Sequence, residues 1–368
     1  MRSKRRTLSL LPSLFLLALV LPPTAPALGG AARASAAGPT LLKRTVLVSA
    51  RRFLRYWPNP RAAEPQYNTW SWTPQVSFQF LGPVPGGSQW LFEAATPDGK
   101  PWVSFKLPTQ EAADDELVTV KGPDMDESEL EKLAVTKAGL FPFKISLKNA
   151  LAGTTDTFFA GKFRVATYAP DQAIPEYRGK QEFYVVQDWR LPVGFIWYDP
   201  TVDQNVPVLG VQMWFRGTHD GQKMQGVLFY KGQQVGDVPG SNEQEVATGV
   251  ADPEGRWGLW TFQFLKVRGY NNDPSSATSY PDTFFLDKHP GDYEIKVLRD
   301  QKLARSATFS VGADGRIVDN GIAKQNLLGG VRMVLPVKIV GDQDLKYDAA
   351  SWKNDMLYGN PLSGFNAP

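Results

Sequence analysis

The chain carries one short pattern twice, and a duplication narrows the possible folds more than composition does. Gly139-Leu140-Phe141-Pro142-Phe143-Lys144-Ile145 returns as Gly291-Asp292-Tyr293-Glu294-Ile295-Lys296-Val297. In both, a glycine is followed two residues later by an aromatic, then by apolar-Lys-apolar. Phe163-Arg164-Val165 and Phe309-Ser310-Val311 follow the two copies. Val76 to Gly82 and Val211 to Gly217 precede them. Echoes in one order along the chain predict two copies of a single supersecondary unit.

The unit is β-rich. Gln181 to Val186 is a β-branched and aromatic run, and Trp260-Thr261-Phe262-Gln263-Phe264 alternates bulky apolar with polar side chains. Val331 to Val340 reads as a further strand, with Pro336 marking an edge or a bulge. Turns at Pro97-Asp98-Gly99-Lys100, Asp252-Pro253-Glu254-Gly255 and Ala313-Asp314-Gly315-Arg316 punctuate the runs. Many short strands with such turns predict sandwiches or barrels. One helix is predicted from Glu127 to Lys137, with Asp126 as its cap, Glu129 three residues on, and Leu130, Leu133 and Ala134 as its buried stripe.

Pro290-Gly291-Asp292-Tyr293 resembles the tyrosine corner of immunoglobulin-like sandwiches, where a buried tyrosine bonds a backbone group upstream. In the first copy Phe141 stands at the tyrosine position and cannot make that bond. The wider chain resembles secreted bacterial envelope proteins with tandem immunoglobulin-like or fibronectin-III-like domains. The resemblance implies a fold and a compartment, with no activity attached. The expected architecture is therefore all-β: two tandem Ig-like antiparallel sandwiches at 40–190 and 191–342, one short helix, and an aromatic C-terminal tail at 343–368. The linker Asp188-Trp189-Arg190-Leu191-Pro192 is short and not Gly/Ser-rich, which predicts a fixed relation between the two units. The tail, with Trp352, Tyr358 and Phe365, is expected either to dock on a domain or to meet a partner.

Residues 1–36 read as a signal peptide: Arg2, Lys4, Arg5 and Arg6 precede the apolar run Leu8–Leu21, and small-residue sites follow at Ala25-Pro26-Ala27 and Ala34-Ser35-Ala36. The run is short of the roughly 20 residues that a spanning helix needs, so no transmembrane segment is expected after cleavage. With no cysteine in the chain, neither disulfides nor a lipid-bearing cysteine are available, and the fold must rest on burial. The formal charge of +3 includes Arg2, Lys4, Arg5, Arg6 and Arg33; removing those five leaves −2, which argues against nucleic acid as a partner. The predicted location is the periplasm or the outside of the cell.

Chemistry is harder to read. Without cysteine or a Gly-x-Ser-x-Gly elbow, nucleophilic catalysis has no visible machinery. The two histidines, His219 and His289, both fall in turn-like sequences, which leaves little for zinc. Asp124-x-Asp126-x-Ser128 opens like a calcium loop but lacks the glycine and the glutamate that should follow. No cofactor and no metal is expected. Trp70 and Trp72 stand out as a pair that could stack on a sugar ring or fill a core. Lys43, Arg44, Arg51, Arg52, Arg55 and Arg61 precede the first acid, Glu64, and could meet an anionic partner or guard a strand edge. The function expected from the sequence is non-catalytic: binding or structure in the cell envelope, with an envelope protein or a polysaccharide as partner. A carbohydrate-binding module and an envelope hydrolase stay open as alternatives.

Overall fold

Alternating apolar positions build nine strands in the first half of the chain: β1 (Thr40–Leu41), β2 (Leu47–Phe53), β3 (Ser71–Leu81), β4 (Ser88–Ala95), β5 (Pro101–Leu107), β6 (Leu117–Gly122), β7 (Gly139–Asn149), β8 (Thr154–Tyr168) and β9 (Glu182–Val185). Eleven more follow: β10 (Val193–Asp199), β11 (Val208–Arg216), β12 (Met224–Tyr230), β13 (Gln233–Pro239), β14 (Ser241–Ala247), β15 (Arg256–Arg268), β16 (Phe284–Phe285), β17 (Gly291–Arg299), β18 (Lys302–Val311), β19 (Met333–Pro336) and β20 (Lys338–Ile339). The computed structural model describes residues 38–53, 70–109, 116–170, 172–173, 175–201, 206–217, 223–247, 256–271, 282–329 and 332–368. The signal segment, Arg55, Arg61, His219 and the turn at Asp252 lie outside the described residues. Among the described residues no helix is long and apolar enough to cross a membrane.

The strands form four sheets. β3 pairs with β1 and β2 on one side and β6 on the other, and the second sheet runs β5-β4-β7-β8-β9. Side chains from these two sheets fill one core, including Trp72, Phe80, Trp90, Phe92 and Phe141. The third sheet runs β14-β15-β11-β10-β19, with β16 beside β15, and the fourth runs β13-β12-β17-β18-β20. They enclose a second core around Val211, Met213, Phe262, Tyr293 and Ile295. Two facing sheets around a shared apolar interior make each half a β-sandwich.

The sequence echoes occupy matching places. β7 pairs with β8 so that Gly139 faces Val165 and Phe141 faces Phe163. β17 pairs with β18 so that Gly291 faces Val311 and Tyr293 faces Phe309. Both ladders shift register at the same step, between Ile145 and Ser146 and between Val297 and Leu298. The aromatic pairs stack alike, with ring centroids 5.4 Å apart for Phe141–Phe163 and 5.2 Å for Tyr293–Phe309. Gly139 and Gly291 sit at φ 131° and 130°, which only glycine adopts without strain.

Two elements differ from their sequence expectation. The helix α1 ends early, spanning Glu127–Leu133, and Asp126 makes no side-chain cap bond. Val135 instead exchanges both backbone hydrogen bonds with Trp72, so a bridge to β3 replaces the last predicted turn. The segment near Pro336 changes sheets: Pro336 faces Val193 in the third sheet, and Lys338 faces Ser306 in the fourth.

Candidate functional site

Strand β11 is buried along its whole length. Leu209, Val211, Met213 and Phe215 point into the second core. The alternate residues Gln212, Trp214 and Arg216 lie on the outer face, and they too are covered. On that face Trp214, Trp257 and Leu259 pack with Tyr184 of the first half and Leu191 of the linker. A strand buried on both sides has both faces covered, and here the cover is the first sandwich, the linker and the tail.

Asp188 of the linker, in the 3-10 turn Asp188–Arg190, accepts hydrogen bonds from Arg216 Nη1 at 3.1 Å, Trp257 Nε1 at 3.1 Å and the Asp348 backbone N–H at 3.0 Å. Burial pushes its carboxyl above the ordinary value, against the pull of Arg216. In the tail, Asp344 accepts from Arg305 Nη2 at 2.7 Å and from the Arg216 N–H at 2.9 Å. Arg305 is wholly inaccessible to solvent. The aromatic tail then runs to the other half. Met356, Leu357, Tyr358, Leu362 and Phe365 join the first core. The Tyr358 hydroxyl accepts the Val48 N–H at 2.8 Å, and Arg164 donates to Asp355 at 2.9 Å.

Beside this junction lies a cleft of about 690 Å³. One wall is the outer face of β3 and β6, with Ser77, Gln79, Thr119 and Lys121; the other comes from β10, β11 and β15, with Phe195, Gln212, Trp214 and Leu259. Arg44, Arg190 and Arg332 also line it, and among the described residues no Asp or Glu does. The two facing carboxylates that glycoside hydrolysis uses are thus not in this cleft.

The arginines are held over tryptophans. The Arg190 guanidinium lies 4.3 Å from the Trp189 ring and 4.9 Å from that of Trp214. Arg332 lies 4.4 Å from Trp197, and Arg216 5.2 Å from Trp257. Gly210 makes room for Trp197: a Cβ there would come within 2.6 Å of the indole. Arg190 is only 7% exposed and donates from Nε to Gln187 Oε1 at 2.8 Å. No carboxylate lies within ion-pairing distance of it among the described residues. Burial draws its pKa down, and burial with the nearby Arg332 does the same for Arg44.

Apart from Arg44, the described residues singled out by sequence fall elsewhere. Trp72 is fully buried, donates from Nε1 to the Lys137 carbonyl at 2.9 Å, and packs edge-on to Trp102 and Phe141. Trp70 is 8% exposed, with φ 45° and its ring against Tyr177. Both rings are covered: Trp72 faces inward from β3 into the first core, and Trp70, just before β3, lies against Tyr177. Of the basic set, Arg51 pairs with Glu127 and Arg52 with Glu182. Lys43 and Arg44 fall in the 3-10 turn Lys43–Thr45, and of the described members only Arg44 lines the cleft, donating to the Leu328 carbonyl at 2.9 Å. Among the described members of the set, Arg44, Arg51 and Arg52 each make a separate contact.

The corner resembles its sequence expectation closely. Tyr293 is 2% exposed and its hydroxyl donates to the His289 carbonyl. His289 stacks on Phe284 at 4.2 Å, and its Nδ1 meets the Phe285 carbonyl. Arg190, Arg332, Trp197 and Trp214 were not singled out by their own sequence context. The usable signal was the apolar, aromatic outer face of β10, β11 and β15, where a solvated sandwich carries polar residues. No protein-family model matches the chain, and no curated protein shows significant sequence similarity to it.

Proposed function

We propose that this chain is an exported, non-catalytic binding or structural protein of the cell envelope, built from two immunoglobulin-like sandwiches and acting through protein–protein contacts. The observation that carries the reading is the interlocked junction. The linker carboxylate of Asp188 is held by Arg216 and Trp257, and the tail anchors Asp344 in one half and Tyr358 in the other. Such a frame keeps the ends of both sandwiches in constant relation, which suits a scaffold that presents fixed surfaces. The basic-apolar-small pattern of residues 1–36 supports export, and the Tyr293 corner supports the immunoglobulin-like assignment.

Affinity capture of the tagged mature chain from its own envelope fraction, at low and high salt, tests the reading. A stoichiometric protein partner retained at both salts is expected. Recovery of the chain alone after chemical cross-linking in intact cells overturns the protein-contact reading.

A further inference from the structure

Arg190 is a buried guanidinium with no carboxylate partner among the described residues. A guanidinium removed from water needs an anion or a full set of acceptors. Here it has the Gln187 amide oxygen, the Tyr358 hydroxyl and two indole faces, and no carboxylate among the described residues. Arg44 and Arg332 bring further positive charge to the same cleft, close enough that Arg332 weighs against the charge on Arg44. Elsewhere in this junction the chain supplies carboxylates to its buried arginines, Asp188 to Arg216 and Asp344 to Arg305. To Arg190 and Arg44, among the described residues, it supplies none.

We propose that the cleft binds a small acidic sugar, one carrying a carboxylate or a phosphate, with the anionic group between Arg190 and Arg44. Guanidinium groups match such oxyanions in charge and geometry. The two walls differ as the two faces of a sugar do. Ser77, Gln79 and Thr119 offer hydroxyl and amide groups for ring hydroxyls. Phe195, Trp214 and Leu259 offer apolar area to ring C–H groups. A volume of about 690 Å³ lies within the usual range for small-ligand sites. This goes beyond the protein-contact reading and does not depend on it.

The test is calorimetric titration and thermal shift of the mature chain with glucose 6-phosphate and with glucuronate, using glucose and inorganic phosphate as controls. At least one acidic sugar is expected to bind about tenfold more tightly than either control and to raise the Tm. Arg44→Gln, at a half-buried position, should weaken that binding about tenfold while lowering the unliganded Tm only slightly, through loss of the hydrogen bond to the Leu328 carbonyl. Arg190→Met should abolish binding and keep or raise the unliganded Tm, because it removes a buried charge with no counter-ion. Equal binding of phosphate means an adventitious ion only and overturns the proposal. Equal binding of glucose, or no binding of either acidic sugar by about 10 mM, overturns it as well. So does Arg44→Gln binding as wild type.

Discussion

Tyr293 carries one hydrogen bond that two pieces of backbone geometry depend on. Its hydroxyl reaches the His289 carbonyl, and Gly291 turns the chain between them with φ 130°. Tyr293→Phe keeps the stacked ring against Phe309 and removes only that bond, so a loss of about 1–2 kcal/mol is expected in urea unfolding. Burial also holds the Tyr293 and Tyr198 phenols well above their ordinary pKa. In the unfolded chain both ionise near pH 10, whereas the folded chain keeps their protons longer. Stability from these groups is therefore full below pH 10 and falls as pH rises toward their folded values. Tyr293→Phe should flatten part of that alkaline decline, read as urea midpoints between about pH 9 and 11. The corner was legible in sequence because Gly-x-Tyr is a local signal. Trp72 and Arg190 were not: an indole on a strand looks the same whether its face meets a core or a ligand. An arginine shows its missing counter-ion only when distant strands surround it.

At the level of elements, the tail shows how a segment without regular structure can be built into a core. Leu357 and Tyr358 both adopt left-handed backbone, φ 42° and 58°, at roughly 1–2 kcal/mol of strain each. They stay there because their side chains are buried, at 5% and 1% exposure. Gly161 of β8 lets the tail approach, since a Cβ there would lie 2.7 Å from the Tyr358 carbonyl oxygen. Tyr358→Phe leaves the buried Val48 N–H without its acceptor and should cost about 1–3 kcal/mol. Tyr358→Ala also empties an aromatic site and should cost about 3–5 kcal/mol, with hydrogen-exchange protection falling first in β2 and β8. Equal losses for the two variants would mean that the hydroxyl, rather than the ring, holds the tail. The sequence showed aromatic anchors in a polar segment and so left docking and partner binding both open. The choice depends on a slot in the first sandwich that no local pattern encodes. Likewise α1 was visible from its apolar stripe, but its end was set by Val135 bonding Trp72 across the sheet.

For the whole molecule, residues 37–368 make one compact unit, although the chain is written as a repeat with two cores. A repeat alone leaves two independently folding halves as the simplest outcome. Beside the apolar contacts of the junction, two buried ion pairs join its parts: Asp188 with Arg216, and Asp344 with Arg305. Buried ion pairs add little net stability compared with apolar packing, yet removing one member leaves an uncompensated charge. Asp344→Ala strands the inaccessible Arg305 guanidinium and should destabilise by about 3–5 kcal/mol. Asp344→Ala combined with Arg305→Met should recover most of that loss, because the stranded charge is gone. The calorimetric signature matters more than the size of either effect. If the junction couples the cores, the wild-type chain should melt in a single transition. Asp344→Ala should then lower the β17–β18 region first and split the transition in two. A single, merely shifted transition in Asp344→Ala would mean that the apolar contacts of Trp214, Trp257, Tyr184 and Leu191 suffice to hold the halves together. In that case the buried ions act on the geometry of the junction, including the spacing of the cleft walls, rather than on its cooperativity.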